Sequence, residues 1–224
     1  KLGLSIVVVH GGGPRIKREL DKSNIQTKFI RGLRVTDKNI IKIIEDVLID
    51  LNNDIVSALK KKGSEAISIN TKINNVINVI PEKEELGFVG VPEKINTDII
   101  KTITDKNQIP VVAPLGLGKD NGPYNINGDT AAGAIAKSLN ARRLLLMTNV
   151  EGVLDKEKKL ITGLKSKEIN KLIKNGSIAG GMLPKINSAL YAANNNVNSV
   201  HIIDGRVEHA LLLEILTDQG VGTL

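Results

Sequence analysis

Ile6-Val7-Val8-Val9-His10-Gly11-Gly12-Gly13-Pro14 is the stretch on which the fold turns. Four β-branched apolar residues in a row read as a buried strand, placed at 5–9. The run stops at three glycines, and Pro14 stands near the first position of a helix read over 14–22. Strand, glycine turn and helix N-terminus together form a place for an anion. Bare N–H groups can approach it closely, and the helix dipole favours negative charge. Gly-Gly-Gly alone names no ligand, because glycine turns join strands to helices throughout α/β proteins. This one is neither Gly-x-Gly-x-x-Gly nor a Walker loop.

Working outward, strand and helix signals alternate. Strands are expected at 66–69, 109–113, 143–148 and 199–203, and helices at 37–61, 92–106, 129–139, 166–174, 184–193 and 207–216. A hairpin fits 70–90, where Val76 to Ile80 and Leu86 to Val89 flank the charged turn Pro81-Glu82-Lys83-Glu84-Glu85. The alternation predicts an α/β fold, a mainly parallel central sheet with helices on both faces. The 224 residues suffice for one domain of two lobes.

A second polar stretch is Tyr124-Asn125-Ile126-Asn127-Gly128-Asp129-Thr130-Ala131-Ala132-Gly133. In an extended segment Asn125, Asn127 and Asp129 would point to one side, a polar comb at the mouth of a site. The small residues that follow suit a closely packed helix, with Asp129 and Thr130 near its N-terminus. A turn that only caps this helix explains the same residues without a ligand.

Composition narrows the classes. The net charge is +7, but basic residues are dispersed among 24 acidic ones, and aromatics make up only 2%. That leaves few stacking platforms for bases and argues against nucleic acid, and the charge better serves to attract anionic substrates. There is no cysteine, so disulfides and thiolate metal sites are excluded. No apolar run is long enough to cross a membrane, no signal peptide is seen, and no membrane partner is expected.

In order along the chain, eight motifs resemble the amino acid kinase family. They are Val9-His10-Gly11-Gly12-Gly13-Pro14, Gly32-Leu33-Arg34-Val35-Thr36, Leu86-Gly87-Phe88-Val89-Gly90 and Pro110-Val111-Val112-Ala113-Pro114-Leu115-Gly116. They continue with Tyr124 to Ala136, Thr148-Asn149-Val150-Glu151-Gly152-Val153-Leu154, Gly180-Gly181-Met182-Leu183-Pro184-Lys185 and His201-Ile202-Ile203-Asp204-Gly205-Arg206. The match runs from His10 to Thr223. Each motif is modest, and eight in sequence are specific.

The resemblance implies a three-layer αβα sandwich, with an acceptor-binding and dimerisation lobe over 1–115 and a nucleotide-binding lobe over 116–224. It implies ATP-dependent phosphorylation of the side-chain carboxylate of N-acetyl-L-glutamate, a step of arginine biosynthesis, with Mg²⁺ carried on ATP. Such a reaction needs no general base, because the carboxylate is already ionised at neutral pH. It needs two anions aligned and their repulsion neutralised. Lys185 and Asp129 would carry catalysis, the lysine on the phosphates and the aspartate orienting lysines. Gly12, Gly13, Arg34, Asn125 and Asn127 would bind substrate, Arg34 gripping a carboxylate through its fork. Gly11, Asn149, Gly152, Val153, Leu154, Ile178, Ala179, Gly181 and Lys185 would contact the nucleotide. No metal is assigned to protein ligands.

The C-terminal stretch is similar to that of arginine-inhibited family members, which implies an allosteric site for L-arginine at His209, Glu214, Gly220 and Gly222. A homodimer or homohexamer is expected, with a PII-type signalling protein as a possible partner. The compartment expected is the cytoplasm, or the plastid stroma for a photosynthetic source.

Some positions depart from the family pattern. Family members begin with a strand ending in a Lys-Tyr/Leu-Gly-Gly motif whose lysine contacts the transferring phosphoryl group. Lys1-Leu2-Gly3 stands too close to His10 to be that motif, and reads as a helix-to-strand connection. The expectation is therefore that the first βα unit and one catalytic lysine are missing. Asn70-Thr71-Lys72-Ile73-Asn74-Asn75 stands where Gly-Lys-Asp-Gly is usual, which predicts unusual local geometry there. Gly128 replaces a common Ala, and Asn149 a common Asp. Two other readings remain: another acceptor of the family, such as aspartate or glutamate, or a non-catalytic regulatory subunit.

Overall fold

The computed structural model describes residues 3–155, 157–178, 180–217 and 222–223. Lys1 and Leu2 lie outside them. The chain forms two compact units, Lys1–Ile135 and Ala136–Leu224. The expected lobe boundary at 115 falls inside the first.

The first unit runs β1 (Val8–Val9), α1 (Gly13–Lys22), β2 (Phe29–Ile30), β3 (Leu33–Arg34), α2 (Lys38–Lys61), β4 (Ala66–Ile69), β5 (Ile77–Pro81), β6 (Gly90–Ile95), α3 (Thr97–Asp105), β7 (Ile109–Val112), β8 (Leu115–Leu117), β9 (Pro123–Asn125) and α4 (Gly128–Ser138). Its parallel sheet has the order β1-β7-β4, with Val111 of β7 level with Val8 and Ser68. Val111 and Val112 are fully buried, as the unbroken apolar run requires.

Helix α2 covers this sheet. Asp37 caps it, accepting from the N–H groups of Asn39 at 2.8 Å and Ile40 at 2.9 Å. Lys60 and Lys61 in its last turn complement the dipole. Ile40, Ile44, Val47 and Leu48 form one apolar stripe that packs with Ile16 and Leu20 of α1 against Ala113 and Leu115. The glycine turn is thus pinned between a buried strand and a packed helix.

A second sheet, β6-β5-β8-β9, mixes directions. The expected hairpin over 70–90 exists, but its return strand is β6, with Ile80 opposite Val91. The helix expected at 92–106 therefore begins only at Thr97. Pro92 lacks the N–H a helix interior would use, and it sits where the β5–β6 register shifts. Likewise the helix expected at 207–216 starts at Ala210, because His209 has a φ of 59°.

The second unit runs β10 (Arg143–Thr148), α5 (Ser166–Lys174), α6 (Met182–Ala193), β11 (Ser199–Asp204), α7 (Ala210–Leu216) and β12 (Gly222–Thr223). Strands β10 and β11 are parallel from Arg143↔Ser199 to Thr148↔Asp204, and β12 adds an antiparallel edge. At the end of β11 the Arg206 guanidinium forks onto Asp204 and holds its carboxyl down to about 2. The α/β class with parallel strands at its centre agrees with the expectation. Among the described residues no helix is long and apolar enough to cross a membrane.

Candidate active site

Helix α1 opens with Gly12 as its cap residue, Pro14 in its first turn, no acidic side chain there and no side-chain cap. Its first N–H groups thus remain unclaimed by side chains, as an anion site demands. The three glycines serve different ends. A Cβ on Gly12 would come within 2.4 Å of Leu48 Cδ2, so Gly12 permits packing against α2. Cβ atoms on Gly11 and Gly13 would meet nothing within 4 Å, so these two leave open space for a ligand.

Beside this turn lies a cleft of about 590 Å³, lined by Gly13, Pro14, Lys17, Thr27, Phe29 and Arg34 among others. Arg34 ends β3 and is only 8% exposed. Its guanidinium donates to Thr27 Oγ1 at 2.6 Å and Gly13 O at 3.5 Å, and lies 4.6 Å from the Phe29 ring centroid. Burial lowers its pKa and the charge of Asp21 works against that, but a guanidinium keeps its charge throughout. The arginine is therefore a fixed fork in a cleft wall.

Three of the sequence motifs meet at Thr36. Its N–H donates to Leu86 O at 3.0 Å, and its carbonyl accepts from Phe88 N–H at 2.7 Å. The Thr36 hydroxyl donates to Arg34 O at 2.9 Å, and Asn125 Nδ2 approaches it at 3.5 Å. Asn125 N–H in turn donates to Phe88 O at 2.9 Å. Arg34 and Asn125, 91 residues apart by number, are thus tied to one buried threonine. Gly87 makes this approach possible: its φ is 66°, and a Cβ there would fall 2.4 Å from Thr36 O. Gly87→Ala should cost roughly 1–3 kcal/mol of stability, read by urea unfolding. An unchanged midpoint would show that the Thr36 contact gives way easily. Thr36 and Gly87 stand within motifs of the sequence that assign neither a role; the glycine at the motif's turn is the signal that points to them.

The extended comb expected over 125–129 stops early, because α4 begins at Gly128. Asn127 Oδ1 caps that helix, accepting from Asp129 N–H at 3.0 Å and Thr130 N–H at 3.1 Å. Asp129 is half-buried in the first helical turn. A Cβ on Gly128 would stand 3.3 Å from His10 O and 3.5 Å from Gly11 Cα, so α4 starts directly against the glycine turn. The atypical segment after β4 is a compact turn. Asn70 Oδ1 accepts from Lys72 and Ile73 N–H at 2.8 and 3.0 Å, and Glu45 of α2 takes Thr71 Oγ1 at 2.5 Å and Lys72 Nζ at 3.2 Å.

In the second unit, Lys185 lies on α6 after Gly180 and Gly181, whose Cβ positions meet nothing within 4 Å. The lysine is 8% exposed and its Nζ donates to Met147 O at 3.2 Å, near the end of β10. Past β10, Asn149 is exposed while Gly152 and Val153 are buried and Leu154 pairs with Leu160. Gly152 has a φ of 153°, and a Cβ there would be 2.6 Å from Leu160 Cδ1 and 2.7 Å from Thr223 Oγ1. Ile178 is buried, and its N–H donates to Leu172 O at 3.0 Å. Ala179 lies outside the described residues. The structure thus gathers Lys185, Met147 and Asn149 around one strand end.

The model of the amino acid kinase family matches residues 1–204. The chain belongs to the amino acid kinase family. It is 53% identical to the acetylglutamate kinase of Pelagibacter ubique over 224 residues, all of this chain and 78% of that protein. It is 46% identical to the acetylglutamate kinase of Marinobacter nauticus, again over all of this chain and 82% of that protein. Among solved structures, smu.665 from Streptococcus mutans superposes with a TM-score of 0.87 at 32% identity, covering 98% of this chain and 84% of that one.

This member of the amino acid kinase family places the expected C-terminal residues in different settings. Glu214 of α7 is buried and pairs with His201 Nδ1 of β11, a partner that the sequence does not point to. His209 is exposed, 3.5 Å from Glu208. Gly222 lies in β12, so close to Ile202 that a Cβ would overlap its carbonyl oxygen. Gly220 lies outside the described residues.

Proposed function

We infer that the chain transfers the γ-phosphoryl group of ATP to the side-chain carboxylate of N-acetyl-L-glutamate, giving N-acetyl-L-glutamyl 5-phosphate and ADP in arginine biosynthesis. The observation that carries this reading is the similarity to acetylglutamate kinases across the whole chain, at 53% and 46% identity. A carboxylate oxygen attacks the γ-phosphorus while the bond to the ADP oxygen breaks, and no proton moves. The protein's task is positioning and charge.

The first unit is assigned the acceptor. Gly12, Gly13 and the α1 N-terminus offer N–H groups to an anion. Arg34 holds a carboxylate from the cleft wall, and Asn125 with Asn127 holds the α-carboxylate or acetamido end. The second unit is assigned the nucleotide, with Asn149, Gly152, Val153, Leu154, Ile178, Ala179 and Gly181 lining its path and Lys185 setting a cation on the phosphates; Gly11 is assigned to the phosphates too. Asp129 organises charge rather than taking a proton. Among the described residues no cluster of three His, Cys, Asp or Glu side chains could hold a metal ion. Mg²⁺ is assigned to the phosphates of ATP, and no residue of this chain to it. Bacterial relatives support a cytoplasmic setting.

The deciding assay gives the intact protein ATP, Mg²⁺ and one acceptor at a time, with hydroxylamine to trap an acyl phosphate. N-acetyl-L-glutamate should give ADP and hydroxamate, and aspartate or glutamate should not. Preference for either of those would overturn the acceptor, and silence with all would overturn catalysis.

We also propose feedback inhibition by L-arginine in a dimer or hexamer, relieved by a PII-type protein where the source is photosynthetic. Support comes from the family likeness of the C-terminal stretch with His209, Glu214, Gly220 and Gly222; a guanidinium would have to take the Glu214 carboxylate from His201. Activity should fall on titration with millimolar arginine. A flat response, or inhibition untouched by Glu214→Ala, would remove the site.

A further inference from the structure

His10 directly follows β1, its N–H donating to Val112 O at 3.3 Å, and the residue is 8% exposed. Nδ1 lies 2.7 Å from Gly11 O. A carbonyl only accepts, so Nδ1 carries the hydrogen. Nε2 then accepts, and it faces Asn52 Nδ2 at 3.2 Å. Asn52 is completely buried on α2 and gives its other hydrogen to Val111 O at 2.9 Å. Its Oδ1 takes the hydroxyl of Ser68 at 2.5 Å, and Ser68 Oγ takes Asn70 Nδ2 at 3.0 Å. The chain has one polarity. Turning the Asn52 amide over would aim an oxygen at Val111 O.

We propose that His10 is a positioning residue: Asn52 and Ser68 hold its ring as the neutral Nδ1–H tautomer, and the ring clamps the Gly11 carbonyl so that the glycine turn keeps its anion-binding shape. This rests on the reaction proposed above. Three consecutive glycines have little intrinsic preference for one conformation. Gly11 and Gly13 have no side chains to fix them by packing, and their Cβ positions are open. Hydrogen bonds add restraint from both sides, at Gly11 O through His10 and at Gly12 O through Ile16 N–H at 2.9 Å. Burial lowers the His10 pKa, with the Gly11 bond partly opposing, which supports a neutral ring. The same chain ends at Asn70, so the atypical turn after β4 is the far anchor of the clamp.

Three variants test it in the intact protein. Asn52→Asp puts an acceptor against Nε2, draws the hydrogen there and leaves Gly11 O without its donor. His10→Gln sets an amide nitrogen near the place of Nε2, whereas His10→Asn sets one near that of Nδ1. Asn52→Asp and His10→Gln should lower kcat about tenfold with KM for N-acetyl-L-glutamate within about twofold, and His10→Asn should restore most of kcat. Imidazole ¹⁵N shifts should report Nδ1–H for His10 in the parent and Nε2–H in Asn52→Asp. An Nε2–H parent, a folded Asn52→Asp with unchanged kcat, or equal kcat for the two His10 variants would overturn the clamp. A parent that phosphorylates no acceptor would sink the proposed reaction instead, and the ¹⁵N shifts would still decide the tautomer. Should Asn52→Asp fail to fold, the two His10 variants decide.

Discussion

Lys185→Ala is expected to lower kcat by about a thousandfold while KM for N-acetyl-L-glutamate stays near that of the parent. In the proposed role the substitution removes a fixed positive charge from a transferring phosphoryl group, where one preorganised donor is worth roughly 10²–10³ and a full charge more. Lys185 is buried and its ammonium already sits on Met147 O, so little reorganisation is needed when charge develops. Burial also strengthens its field, since fewer waters screen it. The substitution removes a buried charged group, so turnover is compared with thermal unfolding of the same sample, and Lys185→Arg serves as the charge-keeping control. Unchanged turnover in a folded Ala variant would make Lys185 a structural residue of α6.

Arg34→Lys is expected to raise KM for the acceptor by roughly ten- to a hundredfold and to leave KM for ATP unaltered. Charge-assisted hydrogen bonds contribute about 1.5–3 kcal/mol each, and lysine cannot make the paired bonds of a planar fork. Here the fork is oriented by Thr27, Gly13 and the Phe29 ring. An ammonium would keep the charge and lose that orientation. Steady-state kinetics with each substrate varied in turn reads the split. Should the ATP constant move instead, Arg34 belongs to the nucleotide.

Elements built on long local signals are legible in the amino-acid sequence. Strands β4, β7, β10 and β11 each carry apolar residues in short succession, and α2 shows its stripe and its Asp37 cap in plain order. Strands β8 and β9 do not stand out, because each is only three residues long and lies among Gly116, Gly118 and Gly122, which look like turn residues. Strand β6 reads as helix because Glu93 and Lys94 suit either state, and only pairing with β5 decides. At the site, the glycine turn is legible because its chemistry is local. The Thr36 junction and the Asn52 chain are not. They join residues 89, 42 and 16 positions apart, and no periodicity carries such a signal. Asn127 adds a feature that the motif does not announce: its side-chain oxygen caps the helix that follows it, so a substrate role falls to its amide nitrogen.

Thr223 gives the second unit an order of completion. Its hydroxyl donates to Ile161 O at 2.6 Å and accepts from Val153 N–H at 2.9 Å, spans of 62 and 70 residues. A ribosome makes Val153 and Ile161 long before it makes Thr223. While the chain grows, the segment that follows β10 therefore waits with two polar backbone groups unlatched. At roughly 5–20 residues per second that wait lasts several seconds. The first unit can pack its core during this time, whereas the Val153 N–H and the Ile161 carbonyl are latched only once Thr223 has emerged.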